Sequence, residues 1–264
     1  MRMFDVASTH RIRKTRRINV LLVAAGALIC APGNYTSAAD TGVSAAANAA
    51  VPPDGLLTEW EARRHAQFIG MARERAIRIL FIGDSSVEFW LQEGEGREEW
   101  QRTYVPKGAA NFGVQGADIK SVMWRLQNGE LDGFEAEVIV VDGMWAGASN
   151  DGASDAEVLE ANAAVVAEIR KRQPQADVLL LVVPRTRYAD SPNRALETAL
   201  TEKFASFADG DRIHFVDTRP VFLKPDGSLD TMILSGRGSA MNAHGYGMLS
   251  RAIQPKIAEL MSGS

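Results

Sequence analysis

The stretch Ile77-Arg78-Ile79-Leu80-Phe81-Ile82-Gly83-Asp84-Ser85-Ser86 decides the fold of this chain. Its first six residues form a short, largely apolar run, which is typical of a strand buried on both faces. A glycine follows at once, and a serine pair opens the next segment. A buried strand that ends in a tight turn before a helix indicates the first half of a βαβ unit.

The same alternation recurs along the rest of the chain. Four more strand-like runs follow, at Ala109–Phe112, Val138–Val141, Val178–Val183 and Ile213–Val216. Helical patterns lie around them, at Leu57–Arg75, Asp118–Gln127, Asp155–Arg172, Pro192–Ala208 and Ala243–Met261. This order predicts an α/β domain with a five-stranded parallel sheet and helices on both faces. Ligands of such sheets bind outside the carboxyl ends of the strands, so we expect the chemistry there.

The first 39 residues have the layout of a signal peptide. A basic segment precedes an apolar run of 14 residues at Ile18–Ala31, and small residues follow at 36–39. That run is short for a membrane span. We therefore expect cleavage near Ala39, an Ala/Pro-rich linker over residues 40–56 and one folded domain over 57–264. This predicts an exported protein, periplasmic or secreted, with no stable membrane span after cleavage; an uncleaved anchor is the alternative.

Charge and composition exclude several classes of function. Cleavage removes six basic residues and one acidic residue, so the net charge of −4 becomes about −9, which argues against nucleic acid and anionic membranes as partners. The single cysteine, Cys30, lies in the apolar run and is lost with it. The histidines that remain, His65, His214 and His244, are too few for an expected zinc site. We expect no metal and no cofactor.

Two strand ends carry residues suited to acyl chemistry. Ser85 stands at a helix N-terminus, where backbone N–H groups and the helix dipole favour a developing anion. Gly113 follows the second strand, and a glycine there lets its N–H approach a ligand oxygen closely. Each residue also has a structural interpretation, Ser85 as a helix cap and Gly113 as a turn glycine.

Together these strand ends resemble the SGNH (GDSL) hydrolase family. Gly83-Asp84-Ser85 is similar to its first block, and Asn111-Phe112-Gly113 is similar to its second block. The branch that contains the platelet-activating-factor acetylhydrolase catalytic subunits is similar at further motifs: Arg64-His65-x-x-Phe68, Trp124–Leu131, Pro184-Arg185 and Phe222–Leu229. The resemblance covers about residues 57–262. It implies a three-layer flavodoxin-like fold and ancestral esterase chemistry.

The resemblance implies catalytic roles for two residues, with Ser85 as the nucleophile and Gly113 as an oxyanion donor. Other positions depart from the family. Trp145 stands where the family has its oxyanion asparagine. The family's final Asp-x-x-His block, counted back from Gly245-Tyr246, falls on Arg237 and Ala240. Without its histidine base, a serine hydroxyl is a weak nucleophile.

One histidine is a candidate for a displaced base. His244 lies four residues beyond the expected position, and its alternative is an exposed residue in the first helical turn. We expect His65 and His214 to be structural. Asp142 has two possible partners, Arg185 and Arg237, in a pair that implies no base function.

Three hypotheses remain open at this stage. The first is a catalytically impaired or inactive homologue that binds an acylated or carbohydrate ligand, with Asp84, Trp145 and Arg237 as ligand contacts. The second is an active acetyl-esterase or lysophospholipase in which a base such as His244 replaces the missing one. The third is a partner-binding scaffold, because the branch named above forms dimers and binds regulators. The expected ligand is a small-molecule, glycan or lipid ester, and a homodimer is possible.

Overall fold

A computed structural model describes residues 52–143, 154–236 and 240–263. All of them belong to one compact unit, which spans Gly42–Ser264. The predicted signal peptide over residues 1–39 lies outside the described ranges, as does most of the predicted linker. Two predicted ligand contacts, Trp145 and Arg237, lie outside them as well.

Five parallel strands form the sheet, and the predicted fold class is confirmed. They are β1 (Ile79–Ile82), β2 (Ala109–Asn111), β3 (Val138–Asp142), β4 (Asp177–Leu181) and β5 (Ile213–Phe215). Their order across the sheet is β2-β1-β3-β4-β5, and every neighbouring pair is parallel. Every residue of β1, β3 and β4 is buried, as the apolar runs predict, whereas β5 at the edge is half-buried.

Eight α-helices surround the sheet within the described part of the chain. They are α1 (Glu59–Glu74), α2 (Ser85–Glu88), α3 (Arg97–Thr103), α4 (Ile119–Arg125), α5 (Asp155–Arg172), α6 (Pro192–Phe207), α7 (Arg219–Phe222) and α8 (Ala243–Gly263). A capping box of Ser154 and Glu157 opens α5, and an equivalent box of Thr58 and Glu61 opens α1. No helix among the described residues is long and apolar enough to cross a membrane.

The sheet separates two apolar cores, because successive side chains of a strand point to opposite faces. Leu80 and Ile82 of β1 pack into one core with residues of α1, α4, α5 and α6. Ile79 and Phe81 pack into the other core with residues of α2, α3 and α8. The result is the three-layer arrangement that the sequence predicts.

The strand order places a crevice at the end of β1. From β1 the chain crosses to β2 on one side, and β3 lies on the other side. In a doubly wound sheet this reversal is the point where ligands bind, at the carboxyl ends of the strands. Ser85 lies three residues after the end of β1, and Gly143 follows β3 directly. The fold therefore brings the candidate nucleophile to the expected ligand site.

Candidate active site

The turn after β1 presents Ser85 as the first residue of α2. Asp84 is the N-cap of this helix, and its Oδ1 accepts a hydrogen bond from Ser86 N at 2.9 Å. The side chain of Ser85 is half-buried and makes no hydrogen bond to another described residue. Its own N–H has no partner within the helix, because the first turn leaves such groups unused. Both groups are therefore free of competing bonds within the described part of the chain.

Glycines let this turn pack tightly. A Cβ on Gly83 would lie 2.5 Å from Val87 Cγ2, and a Cβ on Gly113 would lie 2.7 Å from the carbonyl carbon of Val87 and closer still to Glu88 N. Real Cβ atoms do not approach other atoms so closely. The end of β2 thus rests directly against α2, and a larger residue at either position would push the helix away.

The N–H of Gly113 already has a partner in this structure. It donates to Asn111 Oδ1 at 3.0 Å, and Asn111 Nδ2 donates to the carbonyl of Val87 at 2.6 Å. Asn111 thus ties the end of β2 to α2. The packing explains why a glycine is needed at position 113, and the oxyanion role of Gly113 remains a prediction.

A buried ion network lies against the serine turn. Arg185, which follows β4, donates from Nη1 to Asp84 Oδ2 at 2.9 Å and from Nη2 to Asp142 Oδ2 at 3.1 Å. The same Nη2 donates to Ser86 Oγ at 2.8 Å, and that hydroxyl donates in turn to Asp142. Asp142 Oδ1 accepts a hydrogen bond from Val183 N at 3.1 Å. The network therefore joins the carboxyl ends of β1, β3 and β4.

Two of the sequence expectations concern this network. Of the two partners open to Asp142, Arg185 is the one found in the structure, while Arg237 lies outside the described residues. Asp84 was predicted to contact substrate, but it is 1% exposed and both of its carboxylate oxygens are bonded inside the protein. The structure therefore favours a positioning role for Asp84.

Burial governs the acid–base behaviour of the network. It raises the pKa of Asp142 to about 6, because desolvation and the nearby Asp84 outweigh the stabilising effect of Arg185. Burial alone would lower the pKa of Arg185, but the two carboxylates beside it raise that pKa further above its ordinary value. The arginine stays charged, and Asp142 takes up a proton more readily than an ordinary aspartate does.

Helix α8 packs its first turns against the serine turn. The hydroxyl of Tyr246 donates to the backbone carbonyl of Ser86 at 2.8 Å, and the Tyr246 ring packs 4.6 Å from the ring of Trp90. His244 lies two residues earlier on the same helix and is exposed. Residues two apart are separated by about 200° around a helix axis, so the side with Tyr246 is nearly opposite the side with His244.

The other two histidines of the described residues are engaged elsewhere, as predicted. His65 Nδ1 lies 2.9 Å from Glu130 Oε1, and both side chains are buried. Arg125 Nε lies 3.7 Å from the same carboxylate oxygen. The two branch-specific motifs, at residues 64–68 and 124–131, thus meet in a buried structural cluster.

His214 Nε2 lies 3.1 Å from Asp177 Oδ1. Asp177 is the first residue of β4, so this pair sits toward the amino end of the strand, away from the serine turn. Ala240, which the count back from Gly245-Tyr246 assigns to the family's histidine position, packs partly buried against the second core. Among the described residues, no group of histidine, cysteine or acidic side chains could hold a metal ion.

The sequence analysis did not predict two contributors to the site. Ser86 is 9% exposed and bonded through its N–H, its hydroxyl and its carbonyl. Its signal in the sequence is a second polar residue directly after the candidate nucleophile. The second contributor is the hydroxyl of Tyr246, because in the sequence Tyr246 was used only to locate the final helix. Both hold the serine turn in place.

Comparisons with known proteins show a family and a fold. The family model described as GDSL-like Lipase/Acylhydrolase family matches residues 81–247. The human platelet-activating factor acetylhydrolase IB subunit alpha1 is 34% identical over 167 residues, which cover 62% of this chain and 69% of that protein. The human subunit alpha2 is 31% identical over 187 residues, which cover 67% and 77%. A solved GDSL-like lipase from Bacteroides thetaiotaomicron superposes with a TM-score of 0.58 at 17% identity, covering 76% of this chain and 99% of that one.

Proposed function

Since the chain belongs to the GDSL-like lipase/acylhydrolase family, we propose that it binds an acylated or carbohydrate ligand at the Ser85 turn with little or no ester hydrolysis. The proposal includes export of the protein, because residues 1–39 have the layout of a signal peptide.

The observation that carries this proposal is the missing imidazole. His65 and His214 are each paired with a carboxylate away from the turn, and Ala240 stands at the family's histidine position. In a serine-based triad, loss of the histidine lowers kcat by about 10⁶-fold. These observations support a protein that keeps the ligand-binding end of the sheet and, among the residues that the structure describes, has no imidazole assigned to activate Ser85.

The ligand class follows from the residues expected around the turn. Trp145 follows β3, and an indole face is suited to stacking on a sugar or an acyl group. Arg237 stands at the former aspartate position, and a guanidinium is suited to a carbonyl or an anion. We assign both residues to ligand binding within this proposal.

An active esterase with a displaced base is the second candidate. It is favoured by the intact turn, because Arg185 holds Asp84 and Ser86 on both sides of Ser85, whose N–H has no other described partner. His244 is the base this candidate requires, and its side chain is exposed at the start of α8. A partner-binding scaffold is the third candidate, since the relatives are named as subunits.

Labelling with a fluorophosphonate probe separates these candidates. The probe reports an activated serine without knowledge of the natural substrate. The proposal expects the wild-type chain to label no faster than Ser85→Ala over several hours. Stoichiometric labelling that is lost in both Ser85→Ala and His244→Ala would overturn it in favour of the displaced base.

Ligand binding is tested separately by thermal shift. Acetylated oligosaccharides and short-chain lysophospholipids would be titrated against the wild type and Trp145→Ala. A shift that appears only in the wild type supports the binding role. Equal shifts in both proteins, or none in either, would remove Trp145 from the ligand site.

A further inference from the structure

One guanidinium contacts the residues on both sides of Ser85. Arg185 Nη1 donates to the carboxylate of Asp84 at 2.9 Å, and Arg185 Nη2 donates to the hydroxyl of Ser86 at 2.8 Å. Because the peptide groups that join these three residues are planar, fixing the outer two leaves the middle one few conformations. The direction of the Ser85 hydroxyl and N–H is therefore linked to a residue on another strand end.

The residue after Ser85 differs from the motif in the family name. The family name gives the motif as Gly-Asp-Ser-Leu, and this chain has Ser86 in the place of the leucine. A buried hydroxyl needs hydrogen-bond partners that a leucine does not need. Arg185 and Asp142 are those partners, and both are themselves almost completely shielded from solvent. The polar Ser86 is therefore matched by polar neighbours, Arg185 and Asp142.

We propose that Arg185 is a positioning residue that clamps Asp84 and Ser86, and so sets the direction in which Ser85 faces a ligand. Asp142 accepts a hydrogen bond from Arg185 Nη2 and so holds the guanidinium in place. This inference rests on the proposed binding of a ligand at the Ser85 turn. It adds a residue that the family resemblance does not assign to the chemistry.

The two donor groups of the Arg185 guanidinium distinguish positioning of the serine turn from simple neutralisation of Asp84 and Asp142. An arginine offers two parallel donors in a rigid plane, whereas a lysine offers one compact charge. A lysine at position 185 would balance the charge of Asp84 and Asp142 but would not grip both Asp84 and Ser86. Arg185→Lys therefore separates the two roles, and Arg185→Met removes both.

The test is amide hydrogen exchange followed by NMR in the full chain. The N–H of Ser86, which donates to Asp84, reports the clamp. Two distant amides serve as references: Asp177 N–H donates to Glu137 at 2.9 Å, and Gln173 N–H donates to Ile169 at 2.8 Å. In Arg185→Lys we expect Ser86 to exchange about tenfold faster, as for the loss of one charged hydrogen bond, with both references unchanged.

A matched control is Arg172→Lys, because Arg172 also bonds two carboxylates, those of Glu168 and Asp132. Arg172 ends α5 just before the amino end of β4, whereas the turn lies at the carboxyl ends of the strands. It should leave exchange at Ser86 unchanged. Unchanged exchange at Ser86 in Arg185→Lys would overturn the clamp. Equal acceleration at Ser86 and at both references would overturn it too, because the effect would then be global.

The test of the clamp and the test of the proposed function can fail independently of each other. The exchange measurement does not require Ser85 to be reactive. Fast fluorophosphonate labelling of the wild type would reject the proposed lack of hydrolysis while leaving the clamp intact. Unchanged exchange at Ser86 would reject the clamp while leaving the proposed function intact.

Discussion

The hydroxyl of Tyr246 donates a hydrogen bond to the backbone carbonyl of Ser86 at 2.8 Å, joining residues 160 positions apart. This contact docks the last helix on the turn that carries Ser85. It also fixes the rotation of α8 about its axis, since the Tyr246 ring is completely buried. His244, on nearly the opposite side of the helix, is exposed as a consequence.

Removing the Tyr246 hydroxyl should loosen the serine turn and lower the stability of the protein slightly. We expect Tyr246→Phe to lower the free energy of unfolding by about 1 kcal/mol, the usual worth of one hydrogen bond. Urea unfolding gives the value. The control is Tyr188→Phe, because Tyr188 is 64% exposed and should show almost no change. Equal effects of the two substitutions would show that the Tyr246–Ser86 bond contributes nothing particular.

Gly113 should tolerate no side chain. Gly113→Ala places a methyl group against the backbone of Val87 and Glu88, so we expect a loss of about 1–3 kcal/mol or more from overpacking. Gly70 in α1 is the matched control, because a Cβ there meets nothing within 4 Å. Gly70→Ala should raise stability by about 0.5–1 kcal/mol. A neutral Gly113→Ala would contradict the close packing of β2 on α2.

The sequence sufficed to predict the sheet, because each strand is a continuous apolar run that only a doubly covered sheet can bury. Asp155–Arg172 was predicted with both ends correct, since the Ser154 cap and the basic last turn mark them. Strand ends differed by one or two residues, as β1 begins at Ile79 rather than Ile77. Hydrogen bonds between neighbouring strands determine where each strand begins and ends, and the local sequence pattern does not predict those bonds.

The ion network at the site was only partly predictable. Arg185 was one of the two partners expected for Asp142, because both residues lie at neighbouring strand ends. The clamp on Asp84 and Ser86 did not follow, because it depends on the reach and orientation of one guanidinium across three strands. Similarly, the place of His244 around the axis of α8 depends on how Tyr246 docks.

The buried cluster of the branch motifs should be sensitive to charge. Glu130 and Arg125 are both completely buried, so Glu130→Gln leaves a guanidinium without its counter-charge. We expect a loss of about 3–5 kcal/mol in urea unfolding. Glu137→Gln breaks the partly exposed pair with Arg78 and should cost less than about 1 kcal/mol. Similar losses in both variants would contradict a structural role specific to the cluster.

Asp142 should make stability depend on pH in an unusual direction. Its pKa in the folded state is raised to about 6 from an ordinary 3.8, so the folded protein binds a proton before the unfolded chain does. The contribution of Asp142 to stability therefore increases as pH falls from about 7 to 4. Relative to Asp142→Asn, the wild type should gain unfolding free energy over that range.

Asp217 provides a control of opposite sign. The hydrogen bonds and charge of Arg219 lower the pKa of Asp217, so its contribution is present at neutral pH and is lost as pH falls below about 4. Urea unfolding of the wild type, Asp142→Asn and Asp217→Asn at several pH values gives both slopes. Parallel pH profiles for the wild type and Asp142→Asn would contradict the raised pKa of Asp142.

The central claim is that this chain keeps the ester-binding turn but lacks the base that would activate Ser85. The most direct test is the rate of fluorophosphonate labelling in the wild type and in a variant that restores the family's final block, Arg237→Asp with Ala240→His. We predict negligible labelling of the wild type and an increase of at least about 100-fold in the restored variant, the lower range of a general base. Ser85→Ala should abolish the gain. Rapid, Ser85-dependent labelling of the wild type, unchanged by the restored block, would contradict the claim.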